Sequence, residues 1–265
     1  MAKIEKRKIT KKKLSVFYSI SLLAEKETSI FYDEYNILSK TVDSVNSFNA
    51  LYKAGRAGVK GPSTHDQQDL YRAMLIFACA GLDVFVKQLV KNKIPQLIIA
   101  DKEAENKFKE YVKRGLKKDD KEILNTIALA LIDNTPRDIF LKEYIKSMTG
   151  ESLQSVSELR KVSESSGLDT KKIFNDTKTN MIKDAFIARN QIIHEMDISV
   201  GESAYRTTGY RTRRQRVSTV MEKHTKSILN LAEELFIAYK EKFKKYKIGV
   251  EKEKPNIIKS SEIKK

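Results

Sequence analysis

"LYRAMLIFACAGLDVFVKQLV" occupies residues 70–90, and the fold depends on it. Between Met74 and Leu82 the sequence is apolar on nearly every side of a helix, so the helix has no polar face to turn toward solvent. Such a helix is stable only when other helices surround it. The stretch therefore predicts a central buried helix, with Asp83 directly after its most apolar part.

Both ends of this central helix have sequence signals. The glycine-rich stretch "KAGRAGVKGPS", residues 53–63, predicts a loop in front of it. Ser63 or Thr64 is a suitable residue to cap the first turn. The helix is expected to continue until Pro95 kinks or ends it.

Elsewhere in the chain, apolar residues recur three and four positions apart, which is the pattern of amphipathic helices. With 10 Gly and 4 Pro in 265 residues, the composition favours an all-α fold. The ranges with this pattern are residues 14–54, 103–116, 119–132, 137–148, 170–195 and 217–246. The 170–195 helix is expected to turn these residues inward: Ile173, Phe174, Met181, Ile182, Ala185, Phe186 and Ile193. Residues 150–170, rich in Ser and Glu, are expected to form a surface connection.

The patterns predict a single helical domain over residues 14–247. A basic flexible N-terminus, residues 1–13, precedes it, and a basic disordered tail, residues 248–265, follows it. The net charge of +16, from 51 Lys and Arg against 35 Asp and Glu, favours a polyanionic partner such as nucleic acid. The single cysteine, Cys79, excludes an intramolecular disulfide and indicates a reducing, cytoplasmic location. No apolar stretch approaches the ~20 residues of a membrane helix, so no membrane partner is expected.

"AFIARNQIIHEMD", residues 185–197, places polar residues in the middle of an apolar helix. Asn190 and His194 are four positions apart and share one face, which the long side chain of Arg189 also reaches. The His can take a proton from a 2′-hydroxyl of RNA or protonate the leaving 5′-oxygen. The Arg can hold the phosphate, and the Asn can orient the imidazole or donate to a phosphate oxygen. This chemistry needs no metal or cofactor, and the sequence has no metal-ligand spacing. The alternative is a structural histidine.

"RNQIIH" resembles the Arg-x4-6-His signature of the HEPN superfamily, in which a polar residue follows the Arg. These are helical ribonucleases of toxin–antitoxin pairs, abortive phage-defence systems and CRISPR-associated effectors. Residues 70–90 are similar to the apolar helix with an embedded acidic residue that comes early in many such domains. The resemblance covers about residues 65–240 and is closest to the stand-alone RiboL-PSP-type branch. The antitoxin-paired branch usually has a Tyr two residues past the His, where this chain has Met196.

The resemblance implies a HEPN-like core of four or more helices, with additional short helices, that forms a homodimer. The two motif helices would line one composite cleft, with His194 and Arg189 contributed by each subunit. Asp83 would be the family's acidic residue, pairing with Arg189 or steadying the site; otherwise it is a helix-surface Asp. The implied activity is metal-independent RNA cleavage in antiphage defence or growth control.

"YRTTGYRTRRQR", residues 205–216, follows the motif and interleaves Arg with Tyr. Guanidinium groups for phosphates and tyrosine rings for base stacking suit single-stranded RNA. The predicted RNA-binding residues are Arg206, Tyr210, Arg211, Arg213, Arg214 and Arg216. The alternative is a solvated basic loop.

Two readings of the function stay open at this point. The first is an endoribonuclease acting on RNA, with tRNA and mRNA as candidate substrates and an antitoxin or defence-system protein as a candidate partner. The second is a helical RNA-binding, scaffold or interaction protein that keeps the fold without cutting.

Overall fold

The structure is a computed structural model, and it describes residues 18, 29–117, 125, 128–130, 132, 135–199 and 212–248. A short 3-10 turn, Ser29–Phe31, leads into the first helix. The described α-helices are α1 (Tyr32–Arg56), α2 (His65–Ala100), α3 (Lys102–Lys117), α4 (Pro136–Thr149), α5 (Val156–Ser165), α6 (Thr170–Ile173), α7 (Asp176–His194) and α8 (Ser218–Lys245). The predicted segment 1–13, nearly all of the tail 248–265 and most of the predicted helix 119–132 lie outside the described residues.

The fold is all-α, as the composition predicts. Among the described residues, strand pairing is limited to two antiparallel two-residue strands, β1 (Ile198–Ser199) and β2 (Thr212–Arg213). Helix α2 is the centre of the bundle and packs against α1, α3, α4, α7 and α8. Contrary to the expectation that no apolar stretch approaches the length of a membrane helix, α2 is the one described helix long and apolar enough to cross a membrane. Half of its apolar stretch is buried within the bundle, as in a core helix.

Helix α2 begins with the predicted cap. The Thr64 hydroxyl accepts a hydrogen bond from the Gln67 backbone N–H at 3.3 Å, and the Gln67 side chain accepts one from the Thr64 N–H at 3.1 Å. This reciprocal pair satisfies two N–H groups that a helix start leaves without partners. Of the two outcomes expected at Pro95, a kink or an end of the helix, the end is wrong, because α2 continues to Ala100. Burial of Leu97, which has no exposed surface, offsets the backbone hydrogen bond that proline removes.

The region predicted as a surface connection contains a packed helix instead. Helix α5 starts at Ser155, whose hydroxyl accepts a hydrogen bond from the Glu158 N–H at 3.2 Å. Three of its side chains belong to the core: Val156, Leu159 and Val162. The helix was missed because it has only one narrow apolar stripe among serines and charged residues.

The predicted helix 170–195 is two helices. Helix α6 ends at Ile173, and Asn175 caps α7 by accepting a hydrogen bond from the Lys178 N–H at 3.1 Å. The predicted inward positions of Met181 and Ile193 are wrong, because both are exposed. The buried stripe of α7 runs instead through these residues: Thr179, Ile182, Ala185, Phe186, Ala188 and Ile192.

Close contact between α1 and α2 depends on Gly81. A Cβ atom at Gly81 would lie 2.2 Å from Thr41 Oγ1, and the Thr41 hydroxyl is itself held by the Ile37 carbonyl. We expect Gly81→Ala to lower the free energy of unfolding by about 1–3 kcal/mol, because the helices must move apart to admit the methyl group. Urea denaturation followed by circular dichroism measures this.

The matched control is Gly55→Ala in α1, where a Cβ meets no atom within 4 Å. This change is expected to raise the free energy of unfolding by about 0.4–1 kcal/mol, because alanine restricts the unfolded chain. Equal stability of the two variants would contradict the close approach at Gly81.

Candidate active site

Helix α7 presents the Arg-Asn-His motif at its C-terminal end. The inward stripe of α7 is buried against α2, α5 and α8. His194 is the last residue of the helix and is exposed, and Asn190 is exposed one turn earlier on the same face. Arg189 is half-buried at the edge of the packed stripe. The motif therefore opens to solvent on one side.

Arg189 contacts Asn190 of the motif and lies near Cys79 of the central helix α2. Its Nη1 donates a hydrogen bond to Asn190 Oδ1 at 2.9 Å, whereas its Nε is buried without a hydrogen-bond partner. Burial raises the pKa of the Cys79 thiol on α2 to about 12, and the nearby Arg189 charge acts in the opposite direction. Within the part of the chain that the structure describes, Arg189 forms no ion pair with a carboxylate. Its guanidinium group can therefore bind an incoming phosphate.

Asp83 does not form the expected ion pair with Arg189. Its Oδ1 accepts a hydrogen bond from the Leu153 backbone N–H at 2.6 Å, and its Oδ2 lies 2.9 Å from Lys87 Nζ. The carboxylate thus joins α2 to the segment in front of α5. Asp83 lies one helical turn after Cys79 on α2. An indirect role in steadying the site stays a prediction.

The arginine-rich segment is described only in part. Arg206, Tyr210 and Arg211 lie outside the described residues, so the RNA contacts predicted for them are untested. Arg213 binds the exposed carboxylate of Asp69 through two nitrogens, Nη2 at 2.6 Å and Nη1 at 3.0 Å. This two-point contact joins β2 to the start of α2.

The two following arginines also bind carboxylates of the chain. Arg214 Nη1 donates to Glu195 Oε2 at 2.7 Å, and Arg216 Nε donates to both carboxylate oxygens of Asp197 at 3.1 Å. RNA binding by these arginines stays a prediction, and only their remaining N–H groups are available for it. Their observed contacts order the chain beside the motif.

Asp197 is the centre of a buried ionic network that sequence reasoning missed. Its carboxylate has no exposed surface and receives hydrogen bonds from Arg216 and from buried Arg72, whose Nε lies 2.7 Å from Oδ2. Arg72 Nη2 also donates to the Arg214 carbonyl at 2.7 Å. Met196 and Asp197 both have left-handed backbone conformations, with φ of 50° and 56°. One sequence signal was present, because Asp197 lies three residues after the motif and Arg72 lies at the edge of the most apolar stretch.

The electrostatics of Asp197 follow from two opposing effects. Burial alone would raise the pKa of this carboxyl, because a buried charge is poorly solvated. Hydrogen bonds from Arg216 and Arg72, together with their charges, outweigh burial and hold the pKa below its usual value. The carboxylate is therefore ionised at neutral pH and links α2, the end of α7 and the segment entering α8.

Comparison with protein families identifies a matching family. The family model described as RiboL-PSP-HEPN matches residues 31–245, which is more than half of the chain. The match runs from the residue before α1 to the last residue of α8, so it includes α1, ahead of the core boundary predicted at residue 65. Searches of the curated proteins and of the solved structures returned no match.

Acid should weaken the fold through Asp197. Because its pKa is lower in the folded chain than the usual ~3.9, its stabilising effect is complete above that value and is lost as the pH falls through the folded pKa. We expect Asp197→Asn to lower the free energy of unfolding at pH 7 by about 3–5 kcal/mol, since two guanidinium groups lose their carboxylate. The free energy of unfolding of Asp197→Asn should also fall less than that of the wild type as the pH drops below about 4. Urea unfolding across pH 2.5–7, a range set around the ~3.9 reference value, measures both effects.

Asp43→Asn on the exposed face of α1 is the control for loss of one negative charge. It should leave the pH dependence of stability as in the wild type. If Asp197→Asn and wild type lose stability equally on acidification, Asp197 is not the group responsible.

Proposed function

Because the chain belongs to the RiboL-PSP-HEPN family, we propose that it is a metal-independent endoribonuclease. HEPN domains are generally associated with ribonucleases. The observation that carries the proposal is the exposed imidazole of His194 on the same helix face as Asn190, together with the guanidinium of Arg189, which pairs with no carboxylate among the described residues. The net charge of +16 favours binding of a polyanionic substrate.

The proposed reaction uses these groups in defined roles. The neutral imidazole of His194 accepts the proton of a ribose 2′-hydroxyl, and the 2′-oxygen attacks the adjacent phosphorus. The bond from phosphorus to the 5′-oxygen then breaks, and this oxygen takes up a proton as it leaves. The products are a 2′,3′-cyclic phosphate and a 5′-hydroxyl. Arg189 offsets the negative charge that grows on the phosphate oxygens, while Asn190 fixes the Arg189 side chain.

A second proton-handling group is needed for the leaving oxygen, and we propose that a second copy supplies it. The outward face of α7 bears Ile187, Asn190 and His194 at helical spacing, and the Ile187 side chain is 55% exposed. Pairing of two copies through this face would bury Ile187 and bring both His194 residues to one phosphate. Each Arg189 would then bind the phosphate from its own side.

The proposed cellular role is antiphage defence by abortive infection or toxin-type growth control. In this role an antitoxin or another defence-system protein would restrain the enzyme until infection. Expression of the wild type in bacteria should arrest growth, and His194→Ala should relieve the arrest. Equal toxicity of the two proteins would contradict a role based on RNA cleavage.

A non-catalytic RNA-binding or scaffold protein is the second candidate function. The absence of an Asp83–Arg189 ion pair in the described chain favours it, because the resemblance implied that pair as one support of the site. The cleavage assay described next separates the two functions.

We expect purified protein to cut tRNA or mRNA in the presence of EDTA, because the proposed chemistry uses only side chains. His194→Ala should slow cleavage by about 10²–10⁴-fold, and Arg189→Ala by about 10²–10³-fold. His65→Ala, at an exposed histidine of α2, is the matched control and should cut normally. Intact RNA with the wild type, or full cleavage by His194→Ala, would exclude the enzymatic proposal.

The proposed pairing of two copies makes a separate prediction. Ile187→Lys should shift the protein from dimer to monomer in light scattering and reduce cleavage, because two lysines would face each other across the two-fold axis. Ile99→Lys is the control, since Ile99 is 77% exposed near the end of α2. A dimer that persists and remains active in Ile187→Lys would show that this face is not the interface.

A further inference from the structure

We propose that Asp197 is a positioning residue that fixes His194 in its reactive orientation. The inference rests on the proposed function and adds a residue outside the Arg-Asn-His motif. The chain leaves α7 through a turn closed by two backbone hydrogen bonds. The Glu195 and Asp197 backbone N–H groups both donate to the Gln191 carbonyl, at 3.2 and 2.9 Å. The chain therefore folds back over the turn that contains His194.

This turn needs support from outside the helix. Met196 and Asp197 are consecutive non-glycine residues in the left-handed region, which is unfavourable for L-residues. Backbone hydrogen bonds alone would leave the turn free to relax. Asp197 supplies the support, because its buried carboxylate binds Arg72 of α2 and Arg216.

The network around Asp197 also contacts Gln191, on the N-terminal side of His194. Arg216 Nη2 donates to Gln191 Oε1 at 2.8 Å, while Arg216 Nε donates to Asp197. Gln191 lies three residues before His194, and Asp197 lies three residues after it. One guanidinium group therefore fixes both ends of the segment that carries the imidazole, although it makes no contact with the imidazole.

Fixing the imidazole of His194 should affect the rate of RNA cleavage more than the binding of RNA. A general base must meet the proton it removes within a few tenths of an ångström, and a misplacement of about 1 Å costs about a hundredfold in rate. RNA binding depends on charges spread over a larger surface and tolerates such movement. Loss of Asp197 should therefore lower kcat and leave KM nearly unchanged.

The chain offers a matched control for structural roles. Asp101 is also a buried carboxylate, and it binds Lys242 of α8 and the Tyr246 hydroxyl, the latter at 2.7 Å. None of these residues belongs to the motif or to its ionic network. If Asp197 acted only on stability, Asp197→Asn and Asp101→Asn would have the same effect on a fully folded enzyme.

The experiment measures kcat and KM for RNA cleavage at a temperature where circular dichroism finds each variant folded. We expect Asp197→Asn to lower kcat at least about tenfold with KM within about twofold of wild type, and Asp101→Asn to keep the wild-type kcat. Folded Asp197→Asn with wild-type kcat would overturn the proposal, as would an equal loss in Asp101→Asn.

If Asp197→Asn does not fold, Arg216→Lys tests the same positioning role. Arg216→Lys keeps the positive charge but loses the planar fork through which Arg216 donates to Asp197 and Gln191. We expect a folded protein with reduced kcat, whereas a contact with RNA alone would raise KM instead. A wild-type kcat in this variant would likewise overturn the proposal.

A spectroscopic readout separates this proposal from the proposed function. If the wild type cuts no RNA, the proposed function fails, but the orientation of His194 is still measurable from its imidazole resonances in carbon–proton NMR spectra. We expect these resonances to broaden or split in Asp197→Asn and to remain unchanged in Asp101→Asn. Unchanged His194 resonances in folded Asp197→Asn would refute the positioning role by themselves.

Discussion

Helix α2 is apolar on nearly every side, and the bundle buries one side of it, while Phe77 and Val84 stay exposed. Leu75, Ala78 and Leu89 have no exposed surface, and neighbouring helices cover them. Burial at about 25 cal/mol per Å² of apolar surface makes this covering the main source of stability. Because α7 must turn its apolar stripe toward the bundle, its polar face with His194 is turned outward. The site is thus exposed as a consequence of how the core is covered.

Features that depend on neighbours in sequence were predictable. Thr64 caps α2 as expected, and the final helix was predicted within one residue at each end. The four-residue spacing predicted that Asn190 and His194 share one face, and the structure shows that this face is exposed. These results depend on helical geometry alone, since capping and periodicity act within a few residues. The family match agrees with the resemblance that the motif carried.

Features that depend on distant residues were not predictable. Arg72 and Asp197 are 125 positions apart, and neither residue type indicates its partner in a chain with 51 Lys and Arg and 35 Asp and Glu. The arginines at 213, 214 and 216 were assigned to RNA because their own carboxylate partners could not be identified from sequence. Helix α5 escaped detection for a related reason, because its stripe becomes recognisable only once the surface that covers it is known.

Burial of Cys79 protects the protein's single thiol from oxidation. The chain has one thiol, it has no exposed surface, and its high pKa keeps it in the unreactive protonated form. Peroxide and disulfide exchange act on thiolates that solvent can reach. Oxidative stress would therefore leave Cys79 unmodified. Arg189, which lies near this thiol, would keep its surroundings under such stress.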